Sequence, residues 1–170
     1  MAAEFSDSSI VFNKIPRFWG QETNLKSARL RMYALFAGAG GLHIGLERAG
    51  FKLVLASDIS QYAERTHHLN RPRIPFVRED IRKITGEQLI AAAGGVRPDI
   101  VVGGPPCQGF STLGDKLSGD PRNVLFGAYA TLVEQLEPKF ILLENVKSLV
   151  TLYGGKFRHE IIRSFEDIGY

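Results

Sequence analysis

The chain has 170 residues, 44% apolar and 23% charged, ordinary proportions for one soluble globular domain, and its longest apolar runs are far too short to cross a membrane. A single cysteine, Cys107, rules out an internal disulfide and any multi-cysteine zinc site, and a reducing, intracellular setting fits. The net charge of +3 permits a nucleic-acid partner without establishing one.

Residues 1–28 carry neither helical nor strand periodicity, Pro16 interrupts them, and they read as an N-terminal tail. No basic start followed by an apolar stretch marks a signal peptide at Met1 to Asn13. From Leu30 the pattern becomes regular. Leu30 to Phe36 reads as a first strand, Ala37 to Gly41 as a glycine-rich turn, and Leu42 to Ala49 as a helix stopped by Gly50. Lys52 to Ser57 is a second strand ending at Asp58, and Gln61 to Leu69 a second helix stopped near Pro72. Ile74 to Val77 is a short third strand ending near Asp80, and its Pro75 argues for a sheet edge. Thr85 to Ala93 is a third helix. Asp99 to Val102 is a fourth strand, followed by a long polar loop from Gly104 to about Pro121. A helix from Asn123 to Leu136, a fifth strand from Lys139 to Leu143 and a last helix from Lys156 to Ile168 complete the series.

This alternation predicts an α/β fold, a doubly wound, mostly parallel sheet with helices on both faces and right-handed crossovers. The expected strand order is 3-2-1-4-5, with the switch point between strands 1 and 4. Ligands bind beyond the carboxyl ends of such strands.

Two sites meet that rule. Gly38, Gly40 and Gly41 lie between a strand and a helix, where glycine lets the backbone approach a ligand. Asp58 ends the next strand, where an acid can hold two ribose hydroxyls, and Asp80 ends the third, within reach of an adenine amino group. The plainer alternative is a tight turn with two helix-capping acids. A dinucleotide fingerprint needs a third glycine where His43 stands, and there is no P-loop lysine. S-adenosylmethionine, an adenosine cofactor without phosphates, suits the turn better.

The second site is Gly103-Gly104-Pro105-Pro106-Cys107, a stiff turn at the end of a buried strand. A free cysteine is usually a small buried hydrophobe. Here turn formers surround it and Glu144 ends the neighbouring strand, so a functional thiol is favoured. Glu144 otherwise reads as a capping or salt-bridging carboxylate. His43, His67, His68 and His159 lack metal-ligand spacing and read as surface or helix residues. Arg71, Arg73, Arg78, Arg82 and Lys83 read as a solvated basic face.

Leu35-Phe36-Ala37-Gly38-Ala39-Gly40-Gly41-Leu42, Gly104-Pro105-Pro106-Cys107-Gln108-Gly109-Phe110-Ser111 and Glu144-Asn145-Val146 resemble, in order, three signatures of the DNA (cytosine-5)-methyltransferases. Asp58, Asp80 and Asp120 to Phe126 fall in register, so the resemblance covers roughly residues 30–170. It implies a sheet of the S-adenosylmethionine-dependent methyltransferase type. Phe36, Gly38, Ala39, Gly40, Gly41 and Leu42 would line the cofactor site. Asp58 would bind the ribose with Ile59 against the adenine, Asp80 and Ile81 would flank that ring, and Pro106 and Leu125 would close the methionine end. Cys107 would be the nucleophile, Glu144 its catalytic partner, and Asn145 would orient the cysteine loop. Burial at the strand end would raise the Glu144 carboxyl pKa. The loop Gly109 to Asp120 would cover a base flipped out of duplex DNA.

The resemblance further implies what is not here: the family's later arginine-bearing motif, target-recognition domain and final asparagine motif have no counterpart. The fifth strand is apolar on both faces and would be left as an uncovered edge. The expectation is therefore a tail over 1–28 and the N-terminal part of a catalytic domain over 29–170, truncated after the fifth strand. Double-stranded DNA and the missing C-terminal portion, or a complementary subunit, would be its partners, with no membrane. A cytoplasmic, nucleoid-associated place follows if the source is bacterial. Three rivals stay open: an RNA cytosine methyltransferase, a nicotinamide-dependent oxidoreductase, and a non-catalytic cofactor-binding subunit. The wording of residues 107–111, His43, and the intact Cys107 and Glu144 argue against each in turn.

Overall fold

The computed structural model describes residues 4–5, 9–13, 29–106, 123–147 and 156–170. In chain order the strands are β1 (Glu4–Phe5), β2 (Ser9–Asn13), β3 (Arg31–Leu35), β4 (Lys52–Asp58), β5 (Phe76–Arg78), β6 (Ile100–Gly103) and β7 (Phe140–Glu144). The helices are α1 (Gly41–Arg48), α2 (Gln61–Asn70), α3 (Gly86–Ala92), α4 (Asn123–Leu136) and α5 (Lys156–Glu166), with a 3₁₀ turn at Ile81–Lys83. The sheet order is β1-β2-β7-β6-β3-β4-β5. Strands β7, β6, β3, β4 and β5 pair in parallel, which is the expected 3-2-1-4-5 order.

Both faces of the parallel strands are buried, as helices on both sides require. In β3, Tyr33 and Leu35 join Leu55, Val101, Ile141 and Leu143 on one face, under Leu89 of α3, Leu132 and Leu136 of α4, and Ile161 and Phe165 of α5. Met32 and Ala34 join Leu53, Ala56, Ile100 and Val102 on the other, under Leu42 and Leu46 of α1. The register of β3 on β4 slips between Met32 and Tyr33, whose partners are Leu53 and Leu55. Leu53 and Leu55, two apart, consequently bury on opposite faces. Each such large aliphatic side chain contributes about 1.5–3 kcal/mol by leaving water.

At the amino end of the strands, Asp99 holds the sheet together. It accepts from Arg31 Nε at 2.8 Å, Arg31 N at 2.9 Å and Lys139 Nζ at 3.1 Å. Burial works to raise this carboxyl, but the Arg31 and Lys139 bonds outweigh it and hold it well below the usual range.

The expected tail is partly sheet. Ser9–Asn13 pairs antiparallel with β7, with Ile10 opposite Leu143 and Phe12 opposite Ile141. The uncovered edge expected at the fifth strand is therefore absent. Ile10-Val11-Phe12 is too short to show a period, and its partner lies some 130 residues away, so the pairing has no local signature. The third strand also starts later than expected, at Phe76: Pro75 lacks an N–H for the ladder and instead offers its carbonyl to Ala56 N at 3.1 Å. Among the described residues, no helix is long and apolar enough to cross a membrane.

Candidate active site

The carboxyl ends of β3, β4, β5 and β6 open onto a cavity of about 450 Å³. Its lining includes Phe36, Asp58, Ile59, Asp80, Ile81, Pro106 and Leu125, every one a residue expected at the cofactor site. Leu35, Ser57, Glu79, Arg82 and Gly104 line it too and were not foreseen. Leu35, Ser57, Glu79 and Arg82 sit one residue from expected positions and Gly104 two from Pro106, so adjacency at strand ends is the signal that finds them.

The turn after β3 is built by backbone conformation. Phe36, Gly38 and Gly40 all take positive φ, at 53°, 51° and 102°. A side chain on Gly40 would meet the His43 ring at 2.8 Å, so both its conformation and its contact demand glycine. Asp58 fastens this turn to the next strand: its Oδ2 accepts from Gly38 N at 2.8 Å and its Oδ1 from Ser60 N at 2.9 Å. A carboxylate has about four acceptor positions, so about two remain open toward the cavity. Gly38, Ala39, Gly40, Gly41 and Leu42 are not among the cavity's lining residues. Ala39 and Gly41 are exposed, Gly40 is buried, and Leu42 packs into the core beneath the turn.

Asp80 is differently placed. It caps the 3₁₀ turn, its Oδ1 accepting from Arg82 N at 3.0 Å. Arg82 Nε lies 2.9 Å from Oδ1 and 3.0 Å from Oδ2, and Arg82 Nη2 closes on Oδ2. The Arg82 side chain and backbone bonds draw the Asp80 carboxyl down to about 2. Arg71 pairs with Glu47 and Arg78 with Glu64, so three members of the basic run are engaged in ion pairs.

At the neighbouring end, β6 and β7 run side by side with Gly103 opposite Leu143. Gly104 and Glu144 follow together. A Cβ on Gly104 would stand 3.0 Å from Glu144 Oε2, so the missing side chain is what lets the carboxyl rest against this backbone. Asn145 Nδ2 donates to Pro105 O at 2.8 Å. Glu144 is exposed, not buried as expected, because it is the last residue of β7, at the rim of the sheet. Cys107 and the loop Gly109 to Asp120 lie outside the described residues.

Of the histidines, His68 and His159 are exposed, whereas His43 and His67 are buried in helix packing with ring centroids 6.3 Å apart. Burial, then the Arg71 charge, lowers the His43 pKa to about 4. Their helical spacing alone did not reveal this, since α1 and α2 meet only in the folded sheet.

An adenosine needs a close backbone turn, an acid for its ribose and apolar surfaces for its ring. Gly38, Asp58, Ile59 and Ile81 supply these, so the residues fit S-adenosylmethionine.

A family model described as C-5 cytosine-specific DNA methylase matches residues 30–170. The chain is 44% identical over 138 residues to the type II methyltransferase M.XorII of Xanthomonas oryzae pv. oryzae, covering 80% of this chain and 32% of that one. It is 38% identical over 168 residues to the type II methyltransferase M.PspPI of a Psychrobacter species, covering 98% and 38%. A solved DNA modification methyltransferase encoded within an E. coli prophage has a TM-score of 0.68 at 35% identity, covering 81% of this chain and 38% of that one. The S. pombe Dnmt2 methyltransferase has a TM-score of 0.59 at 25% identity, covering 80% and 40%. The chain thus spans about a third of the length of the curated relatives it matches.

Proposed function

The chain belongs to the C-5 cytosine-specific DNA methylase family, and on that footing we propose that it carries the cofactor site and the nucleophile of an enzyme that methylates C5 of cytosine in DNA. Its cofactor is S-adenosylmethionine, which when bound supplies an electrophilic methyl group on a sulfonium. Cytosine C5 is too weak a nucleophile to take that methyl unaided. In this reading the Cys107 thiolate adds to C6 and leaves electron density at C5. Glu144 shares a proton with N3 as charge develops there, and a base seated against it would shield it from water. With the methyl group on C5, a base removes the C5 proton and the C6–sulfur bond breaks, which restores the C5–C6 double bond and frees the thiolate. The target must be turned out of the duplex for these groups to reach it.

The observation that carries the reading is the approach of Gly104 to Glu144 on adjacent parallel strands, beside the cavity. The backbone leading into Cys107 and the acid on which the chemistry depends leave the sheet at the same place. Because the curated relatives are about three times as long, residues 1–170 alone are proposed to bind cofactor weakly and to need the counterpart of the remaining length for methyl transfer. Two measurements test this. A 5-fluorocytosine duplex should be trapped covalently once that counterpart is supplied, and Cys107→Ser should abolish trapping. Methyl transfer to DNA by residues 1–170 alone would overturn the need for further sequence, and trapping that survives Cys107→Ser would overturn the assigned nucleophile.

A further inference from the structure

We propose that Arg82 is a latch on the cofactor site, competing with the cofactor's adenine amino group for the carboxylate of Asp80. The inference rests on the cofactor reading and goes beyond it, since nothing above assigns Arg82 a role.

The case is one of counting acceptors. A carboxylate offers about four hydrogen-bonding positions. Asp80 takes three donors from one residue: Arg82 N on Oδ1, Nη2 on Oδ2, and the single Nε–H shared between the two oxygens. Asp58, on the adjacent strand end, spends two and keeps the rest. Both acids line the same cavity, as does Arg82 itself. A ligand donor approaching Asp80 therefore meets a guanidinium spread over both oxygens, whereas one approaching Asp58 finds about two open positions.

The displacement is within reach. The Arg82 side chain is 53% exposed, so its guanidinium is free to turn into solvent. The pair faces solvent on its arginine side, where salt screens it. The backbone bond from Arg82 N to Oδ1 holds the carboxylate in place when the side chain leaves. The device keeps Asp80 oriented and ionised, and yields it only to a ligand with a donor of its own. A 6-amino purine has one at position 6, where a 6-oxo purine presents an acceptor that the carboxylate repels.

The test is titration calorimetry on the 170-residue chain with S-adenosylhomocysteine and with S-inosylhomocysteine, for wild type, Arg82→Ala and Arg82→Gln. Removing the competitor for one hydrogen bond should tighten S-adenosylhomocysteine binding about three- to ten-fold at low salt. Adding a few hundred millimolar NaCl should narrow that gap by strengthening wild-type binding. The inosyl compound should show no gain in either variant. A thermal melt confirms that the variants fold, and the Gln variant stands in if Ala does not. Equal or weaker adenosyl binding by the variants, or an equal gain for the inosyl compound, overturns the latch and leaves the cofactor reading standing. Binding of neither compound by any of the three proteins overturns both.

Discussion

Asn145 donates a hydrogen bond from Nδ2 to the carbonyl of Pro105, 2.8 Å away and forty residues earlier in the chain. The bond joins the segment after β7 to the segment after β6, two residues before Cys107. Pairing of β6 with β7 ends at Gly103 and Leu143, so this side-chain contact extends their register past the last paired residues. Asn145→Ala should lose about 1 kcal/mol of stability, the net value of one such bond, in a denaturant titration. If the bond positions the cysteine loop, trapping of 5-fluorocytosine should slow several-fold while S-adenosylhomocysteine affinity stays put. An unchanged trapping rate would leave Asn145 a stability residue only.

Gly103 and Gly104 are adjacent, yet they answer to different constraints. A Cβ on Gly103 would sit 2.8 Å from Tyr129 Cε2 and 2.9 Å from the Leu35 carbonyl, both in the core. Neither can retreat, so Gly103→Ala should cost about 1–3 kcal/mol, seen as a lowered denaturation midpoint. A Cβ on Gly104 meets the Glu144 carboxyl, the exposed end of a flexible side chain. Gly104→Ala should leave the midpoint nearly unchanged and displace the carboxyl, lowering trapping.

Asp58 links the glycine turn to β4 and faces the cavity. Asp58→Ala removes a charged acceptor from Gly38 and from the proposed ribose. Hydrogen bonds to charged groups contribute about 1.5–3 kcal/mol, so S-adenosylhomocysteine should bind about ten- to a hundred-fold more weakly. Asp58→Asn keeps one acceptor oxygen and should fall between. Equal affinities across the series would remove Asp58 from the cofactor site.

The buried histidines predict an acid-sensitive fold. His43 is 2% exposed, and its pKa near 4 in the folded chain lies below the ordinary 6.5. Between those values the unfolded chain takes up a proton that the folded chain refuses. Its contribution is therefore complete above pH 6.5 and is lost as pH falls toward 4. His67, lowered by burial, acts with the same sign. Asp80, near 2 in the fold, loses its contribution only below about pH 4, so the two windows separate. Denaturation midpoints at pH 7, 5.5 and 4.5 should decline for wild type and flatten for His43→Gln. Parallel declines would mean that another group controls this limb.

The sequence by itself determined the alternation of strands and helices, because apolar runs bounded by glycine, proline and capping residues are local signals. Ser60 and Thr85 start α2 and α3 as caps, and Leu53, Leu55, Val101 and Ile141 declare their strands by composition. It also placed Asp58, Asp80 and Glu144 at strand ends, and in a parallel sheet all such ends share one edge. Only the tertiary structure decided what each acid does there. Whether a carboxylate is partly open, like Asp58, or covered on both oxygens by a guanidinium, like Asp80, depends on which donors come within 3 Å, and spacing in sequence does not say. The same holds for Ser9–Asn13, whose strand exists only by pairing with β7 and β1, and for His43 and His67, whose rings meet 6.3 Å apart between α1 and α2. Local patterns choose the elements, and contacts between distant segments choose the electrostatics of the site.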